Sequence, residues 1–329
     1  LNEHVAKDGM KAGAGSRGDL AAAKALVEAR LAALVPAAPA AQPELGEAMR
    51  DALLSGGKRL RPLMCMAATA DLGADPASAV DAGSAIEFVH AASLVLDDLP
   101  CMDDAAMRRG RPTIHLAHGE DLAVLTAVSL LTGASEVLAD IEVLPCQTRL
   151  ACVRMLASAT GAQGLCAGQF ADLRGGRGPR DGASIAAAND LKTGSLFRVS
   201  VGFAGLIAQA DAATRERLDG FARSLGLAFQ LMDDLLDQSG RPSLSGKDCG
   251  QDAGKSTMVT VFRRGAAEDQ IRGHIGEAKQ CLETLFGPKS RLGDLVDMIV
   301  AHGEALRGPG MGRRTTVAND LPDIQAAAR

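Results

Sequence analysis

The sequence predicts an all-α protein, and three observations carry that expectation. Ala, Leu and Gly are plentiful while aromatic residues make up 2% of the chain, with eight Phe and neither Trp nor Tyr. Apolar residues recur at three-and-four spacing over long stretches, which is the pattern of one helical face. No stretch of useful length alternates apolar and polar residues as a half-buried strand does.

The elements follow in order. Residues 1–18 are polar, Gly-rich and aperiodic, so a flexible leader is expected there. From Asp19 the spacing of Leu20, Ala23, Leu26, Val27, Leu31 and Leu34 reads as a helix, broken by Pro36, Pro39 and Pro43. Further helical stretches are expected at 46–54, 61–71, 77–98, 119–140, 148–171, 183–209, 212–237, 257–265, 267–285 and 290–307. The segments "RGGRGPRDG" at 174–182 and "QSGRPSLSGKDCGQDAGKS" at 238–256 are punctuated enough to be loops. Residues 308–329 read as a mobile tail, leaving 19–307 as one domain.

Composition excludes several classes of function. The seven cysteines are odd in number and contain no Cys-x-x-Cys pair, which suits a reducing compartment and argues against a disulfide framework. The longest uncharged run, Met155 to Ala171, is too rich in Gly, Gln, Ser and Thr to span a membrane, and the leader lacks the apolar centre of a signal peptide. No transmembrane segment is expected, and the cytoplasm is the expected location. A net charge of -5 gives no reason to expect nucleic acid as a partner.

The chemistry is concentrated in two acidic clusters. "LDDLPCMDD" at 96–104 follows the apolar run "FVHAASLVL" directly. On an unbroken helix Asp97 and Asp103 would lie about 240° apart and could not converge on one ligand. Pro100 removes an N–H and disfavours helix at Leu99, so the chain is expected to break there and return Asp103 toward Asp97. In "FQLMDDLLD" at 229–237, Asp233 and Asp237 are four apart and share a face, with Gln230 one turn earlier. One such cluster reads as a solvated helix end. Two clusters, each ending an apolar helix, call for a positive partner, and a carboxylate-only set without His or Cys spacing points to Mg²⁺ completed by water and phosphate.

Metal with phosphate predicts basic residues. They occur in "GGKRLRP" at 56–62, which contains Lys58, Arg59 and Arg61, and in "RRGRP" at 108–112. Lys192 lies in "KTGSLF", and Lys247 and Lys255 lie in the loop after the second acidic cluster. "GGK" here lacks the full phosphate-loop pattern, so a nucleotide fold is not expected.

Taken in order, "GGKRLRP", "HAASLVLDDLPCMDDAAMRRGRPTIH", "GQFADL", "KTGSLF", "FQLMDDLLD" and "GKDCGQDAGKST" resemble the trans-isoprenyl diphosphate synthases, over roughly residues 45–265. The match looks closest to bacterial geranylgeranyl diphosphate synthases of the carotenoid-pathway type. The resemblance implies one large helical bundle of the isoprenoid synthase type with a central apolar cavity, usually as a homodimer. It implies Mg²⁺-dependent condensation of isopentenyl diphosphate with dimethylallyl, geranyl or farnesyl diphosphate.

By the same resemblance Asp97, Asp103, Asp233 and Asp237 hold several Mg²⁺ ions together with the allylic diphosphate, and Asp98, Asp104 and Asp234 support them. Lys58, Arg61, His90 and Arg109 hold isopentenyl diphosphate. Arg108, Lys192, Lys247 and Lys255 hold the allylic partner, and Phe229 belongs to the substrate site. Thr193 and Gln230 offer dipoles to the developing cation. Ala92 and Ser93, small residues one turn below Asp97, suggest a slot deep enough for a twenty-carbon product. A farnesyl diphosphate synthase is the alternative, and a non-catalytic regulatory subunit is a remoter one because both aspartate motifs are retained.

Overall fold

The computed structural model describes residues 17–175, 181–238 and 264–307. Thirteen α-helices run through these residues: α1 Arg17–Leu34, α2 Pro43–Leu54, α3 Leu60–Asp71, α4 Val80–Asp97, α5 Ile114–His118, α6 Glu120–Ala139, α7 Cys146–Thr160, α8 Leu165–Arg174, α9 Gly182–Asn189, α10 Ser195–Ile207, α11 Ala212–Gln238, α12 Arg264–Phe286 and α13 Arg291–Arg307. A 3₁₀ turn, Pro76–Ala79, leads into α4, and a two-stranded ribbon follows it, β1 Met107–Arg108 and β2 Arg111–Pro112. Of the expected elements, 239–263, the leader through residue 16 and the tail from 308 lie outside the described residues.

Helix α4 is the axis of the bundle. It packs on α1, α2, α3, α6, α7 and α10, and Ala82 to Val89 are all buried. That explains why its sequence is apolar on every side: a helix enclosed all round needs no polar face. Helices 76–97 and 120–139 are long and apolar enough to span a bilayer, which the reading of the longest uncharged run did not anticipate. The first is mostly enclosed by the bundle, whereas less than half of the second is covered.

Other departures have local causes. The expected helix 148–171 is two helices, because a Cβ at Gly164 would lie 2.0 Å from the carbonyl oxygen of Ala159 and only glycine permits that reversal. Pro43 opens α2 instead of ending a segment, as its missing N–H is harmless in a first turn. The expected helix 183–209 is interrupted by a π-turn at Asp190–Gly194.

Two polar contacts fix the ends of the bundle. Arg59 is buried, and its guanidinium donates to Glu28 on α1 at 2.9 and 3.1 Å, to Glu87 on α4 at 3.0 Å and to the carbonyl of Leu53 at 2.8 Å. Far along the chain, Asp71 accepts from the backbone N–H groups of Arg291 at 2.9 Å and Leu292 at 3.0 Å, while Ser290 accepts from Gly293 at 3.0 Å. Three first-turn donors of α13 are thereby satisfied, two of them by a residue 220 and 221 positions away. Asp71→Ala is expected to cost about 1–2 kcal/mol and to lower the thermal midpoint by a few degrees. An unchanged midpoint with undiminished protection of α13 from proteolysis would show that this cap does not dock the helix.

Candidate active site

The first acidic cluster is built by the end of α4. Helix α4 stops at Asp97, and the chain turns back so that Asp103 N–H donates to the Asp97 carbonyl at 2.9 Å, Asp104 N–H to Leu99 at 3.1 Å and Ala105 N–H to Asp98 at 3.2 Å. Asp104 takes the left-handed conformation, φ 49°, that completes the reversal. The two carboxylates therefore share one turn.

Their surroundings oppose charge. Burial pushes Asp97 up to about 6, Asp103 and Asp98 add to the effect, and Lys192 and Arg108 work against it. Burial likewise raises Asp98, which faces inward and accepts three hydrogen bonds of 2.5–2.8 Å from Arg108. Arg108 reaches it from the β-ribbon, whose two-residue turn has φ 53° at Arg109 and 76° at Gly110, as a tight hairpin of this hand requires.

The same hairpin joins the acidic turn to a basic pocket. Arg109 donates to Ser55 Oγ at 3.2 Å and to the Gly56 carbonyl, and its guanidinium lies where a Cβ of Gly57 would stand, 3.1 Å away. Gly56 and Gly57, at φ 85° and 131°, provide both the turn and the clearance. Arg61 lies 5.3 Å over the Phe197 ring and Lys58 lies 5.9 Å over Phe229, and these two rings are 5.4 Å apart. Burial lowers the pKa of Arg61 and of Arg109, and their mutual repulsion lowers that of Arg61 further. Arg61 Nε is buried without a hydrogen bond. Three cationic side chains are thus gathered at one end of the bundle, which raises the local positive potential. His90 is half-buried two turns before Asp97 on the same face of α4.

The second wall rises from α11 and meets the first through the π-turn. Lys192 Nζ is 3.0 Å from Asp172 on α8 and 3.9 Å from Asp97. Burial opposes its charge, yet Asp97 and Asp172 outweigh that and hold its pKa above the usual value. Next to it Thr193 donates to Gln230 Oε1 at 2.8 Å, and Gln230 Nε2 donates to buried Asp234 at 2.8 Å. Asp233 stands on the same turn of α11, and Asp237 lies in its last turn, with its side chain outside the described residues. Lys247 and Lys255 also lie outside them. A cavity of about 370 Å³, lined by Ala186, Leu227, Leu231 and the amide of Gln230 among others, opens beside this wall.

Two features differ from the sequence reading or went unread in it. Arg59 belongs to the interior and not to an anion site, because its left-handed φ of 51° turns it away from Lys58 and Arg61 and into Glu28 and Glu87. The motif "GQFADL", noted but given no role, supplies Asp172 to Lys192, Gln169 to Met102 Sδ at 3.7 Å, and Gly168, whose missing Cβ would fall 2.4 Å from Lys192 N. Only glycine lets α8 come so close to the π-turn.

The residues present fit Mg²⁺. The donors are oxygen only, and partial burial opposes the charge of the Asp97 carboxylate. Among the described residues no three His, Cys, Asp or Glu side chains gather into a closed metal site.

Comparison with known proteins places the chain. The family model described as polyprenyl synthetase matches residues 42–285. A geranylgeranyl diphosphate synthase of Pantoea ananas is 45% identical over 240 residues, 72% of this chain and 78% of that one. A farnesyl diphosphate synthase of Geobacillus stearothermophilus is 37% identical over 262 residues, 78% of this chain and 88% of that one. Among solved structures, a geranyltransferase from Helicobacter pylori, complexed with magnesium and isoprenyl diphosphate, aligns with TM-score 0.79 and 25% identity over 91% of this chain and all of its own.

Because Asp97 binds its proton more tightly folded than unfolded, the native state holds more protons between about pH 4 and 6, and stability from this group falls as pH rises through that window. Metal-free Asp97→Asn is therefore expected to melt several degrees above the parent at pH 8, with the gain shrinking below pH 5. Circular-dichroism melts at both pH values check this, and equal midpoints at pH 8 would refute the strain assigned to Asp97.

Proposed function

The chain belongs to the polyprenyl synthetase family, and from that membership we propose that this prenyltransferase joins isopentenyl diphosphate head to tail with allylic diphosphates to make geranylgeranyl diphosphate. The observation that carries the reading is one hairpin with two uses: Arg108 turns to the acidic end of α4 while Arg109 turns to the basic pocket around Arg61. A single-substrate enzyme has no need of the second.

The roles follow from charge. Asp97, Asp103 and Asp233, with Asp237, would hold Mg²⁺, and Asp98 and Asp234 would orient the turns that carry them. Mg²⁺, when bound, supplies divalent charge that neutralises the departing diphosphate. Lys192 and Arg108, with Lys247 and Lys255, bind the allylic diphosphate. Its C–O bond breaks, and the electron pair leaves with the diphosphate. The carbonyl of Lys192, with Thr193 and Gln230, directs dipoles at the allylic cation. Lys58, Arg61, His90 and Arg109 hold isopentenyl diphosphate so that its double bond attacks the cation, replacing a bimolecular encounter. The new carbon–carbon bond leaves a proton to be lost, and the released diphosphate takes it. Phe229 and Phe197 lie beneath Lys58 and Arg61 in the basic pocket.

Similar proteins include both a geranylgeranyl and a farnesyl diphosphate synthase, so the residues below Asp97 decide product length. Ser93 lies about 6 Å down the helix and about 40° round from Asp97, and Ala92 about 7.5 Å down and about 140° round. Ser93 is half-buried with its hydroxyl turned onto the His90 carbonyl at 2.9 Å, and Ala92 is fully buried. Neither blocks a chain. The retained aspartates of both clusters argue against a regulatory subunit.

A homodimer, in the cytoplasm, completes the reading. Leu116 on α5, Val124, Leu125 and Val128 on α6 and Leu150 on α7 are 43–58% exposed on neighbouring helices. A second copy of this chain is the occupant we assign to that face.

One incubation tests the activity. Purified protein with isopentenyl diphosphate and each of the five-, ten- and fifteen-carbon allylic diphosphates is expected to yield the twenty-carbon product with Mg²⁺ and none with EDTA. Ser93→Phe, and Ala92→Tyr where it still folds, should move the product toward fifteen carbons; chromatography of the dephosphorylated products reads both, and unchanged lengths would refute this wall. Leu125→Glu should halve the mass seen by light scattering, and a native mass already that of one chain would dismiss the dimer.

A further inference from the structure

The helix that carries Lys192 and Thr193 has one residue too many for a regular helix. Between α9 and α10 the five residues Asp190–Gly194 form a π-turn. Such turns are less favourable than α-helix and need outside support to persist. Helix α8 supports one side, packed so closely that a Cβ on Gly168 would fall 2.4 Å from Lys192 N. On the other side stands a cluster with no role in the chemistry described above. Arg198 Nη1 donates to Asp190 Oδ2 at 3.2 Å, Arg223 Nε of α11 lies 3.8 Å from the same oxygen, and Asp219 lies 3.9 Å from Arg198 Nε.

The spacing of this pair is informative. Residues eight apart on a regular helix are about 80° out of line. One residue absorbed in a bulge makes them equivalent to seven apart, about 20° out of line, so Asp190 and Arg198 meet because the π-turn exists. The reverse also holds: their attraction favours the bulged register over the regular one. Asp190 is 14% exposed, and its other oxygen, Oδ1, is buried without a hydrogen bond, 2.6 Å from where a Cβ at residue 194 would stand. Gly194 thus leaves the carboxylate undisturbed, where a side chain would push that oxygen aside.

We propose that Asp190 and Arg198, with Arg223, form an electrostatic latch that holds the π-turn in register and so aims Lys192 at the allylic diphosphate and Thr193 at Gln230. These are positioning residues, since neither touches the reacting atoms. The proposal rests on the condensing-enzyme reading for the identity of the ligand but not for the latch itself.

The test uses the full chain with Arg198→Met, which keeps the stem and removes the charge, Asp190→Asn, the double variant and Arg198→Lys. Amide hydrogen exchange across 189–198 should speed at least tenfold in both single charge-removing variants, with no further gain in the double. In steady-state assays those variants should show a five- to tenfold higher KM for the allylic diphosphate and a lower kcat, with the KM for isopentenyl diphosphate unchanged, and Arg198→Lys should recover most of the loss. Unchanged exchange, or activity lost in equal proportion for both substrates as a smaller folded fraction would give, overturns the latch. A parent protein that turns over neither diphosphate defeats the functional reading, and the exchange measurement then decides the latch alone.

Discussion

The site depends on one ammonium group. Lys192 Nζ stands 3.0 Å from Asp172 of α8 and 3.9 Å from Asp97 at the end of α4, while its neighbour Thr193 is bonded to α11 through Gln230. Three helices distant in sequence are thereby tied to one turn. A point charge on a flexible stem can serve two carboxylates at once, and it can release one of them to a ligand without being left unpaired. An arginine in that place would demand a fixed planar geometry from both.

The charges around this turn are opposed by their environment. Asp97 is pushed up to about 6 and the guanidinium groups of Arg61 and Arg109 are pulled down, in each case chiefly by burial. Nearby opposite charges offset this only in part: Lys192 and Arg108 act on Asp97, and Glu87 acts on Arg61 and Arg109, while Arg108 and Asp98 pair with one another at the seam. In the function proposed above, a divalent cation would relieve the acidic turn and a diphosphate the basic pocket. The cost is carried by a large core, whereas buried charge away from the site is matched, above all Arg59 with Glu28 and Glu87. Buried pairs of that kind contribute little net stability but fix geometry, since losing one partner strands the other.

Much of this was legible in the sequence, and the limits are physical. The i, i+4 relation of Asp233 and Asp237 needs only helix periodicity, and the reversal after Pro100 follows from one missing N–H. Gly56 and Gly57 mark a backbone that must be approached closely, and Arg109 is what approaches it. What could not be read is direction at left-handed residues. Lys58, Arg59 and Arg61 look alike in "GGKRLRP", yet φ of 51° at Arg59 sends that side chain inward. The π-turn was equally hidden, because its insertion leaves the apolar spacing of Ile185, Ala188, Leu196 and Phe197 readable as one long helix.

Backbone strain follows the same distribution. Among the described residues, four other than glycine have positive φ: Arg59, Asp104, Arg109 and Gln209. The first three border the site, each in a turn that delivers a charged side chain, and each conformation costs on the order of 1 kcal/mol. A glycine would relieve any of them but would supply no charge. A charged residue in a relaxed conformation would point its charge elsewhere. The three turns are therefore strained for the same reason that the π-turn needs its latch: side-chain direction at this site is set by backbone geometries that a regular helix does not offer, and the surrounding packing has to hold them.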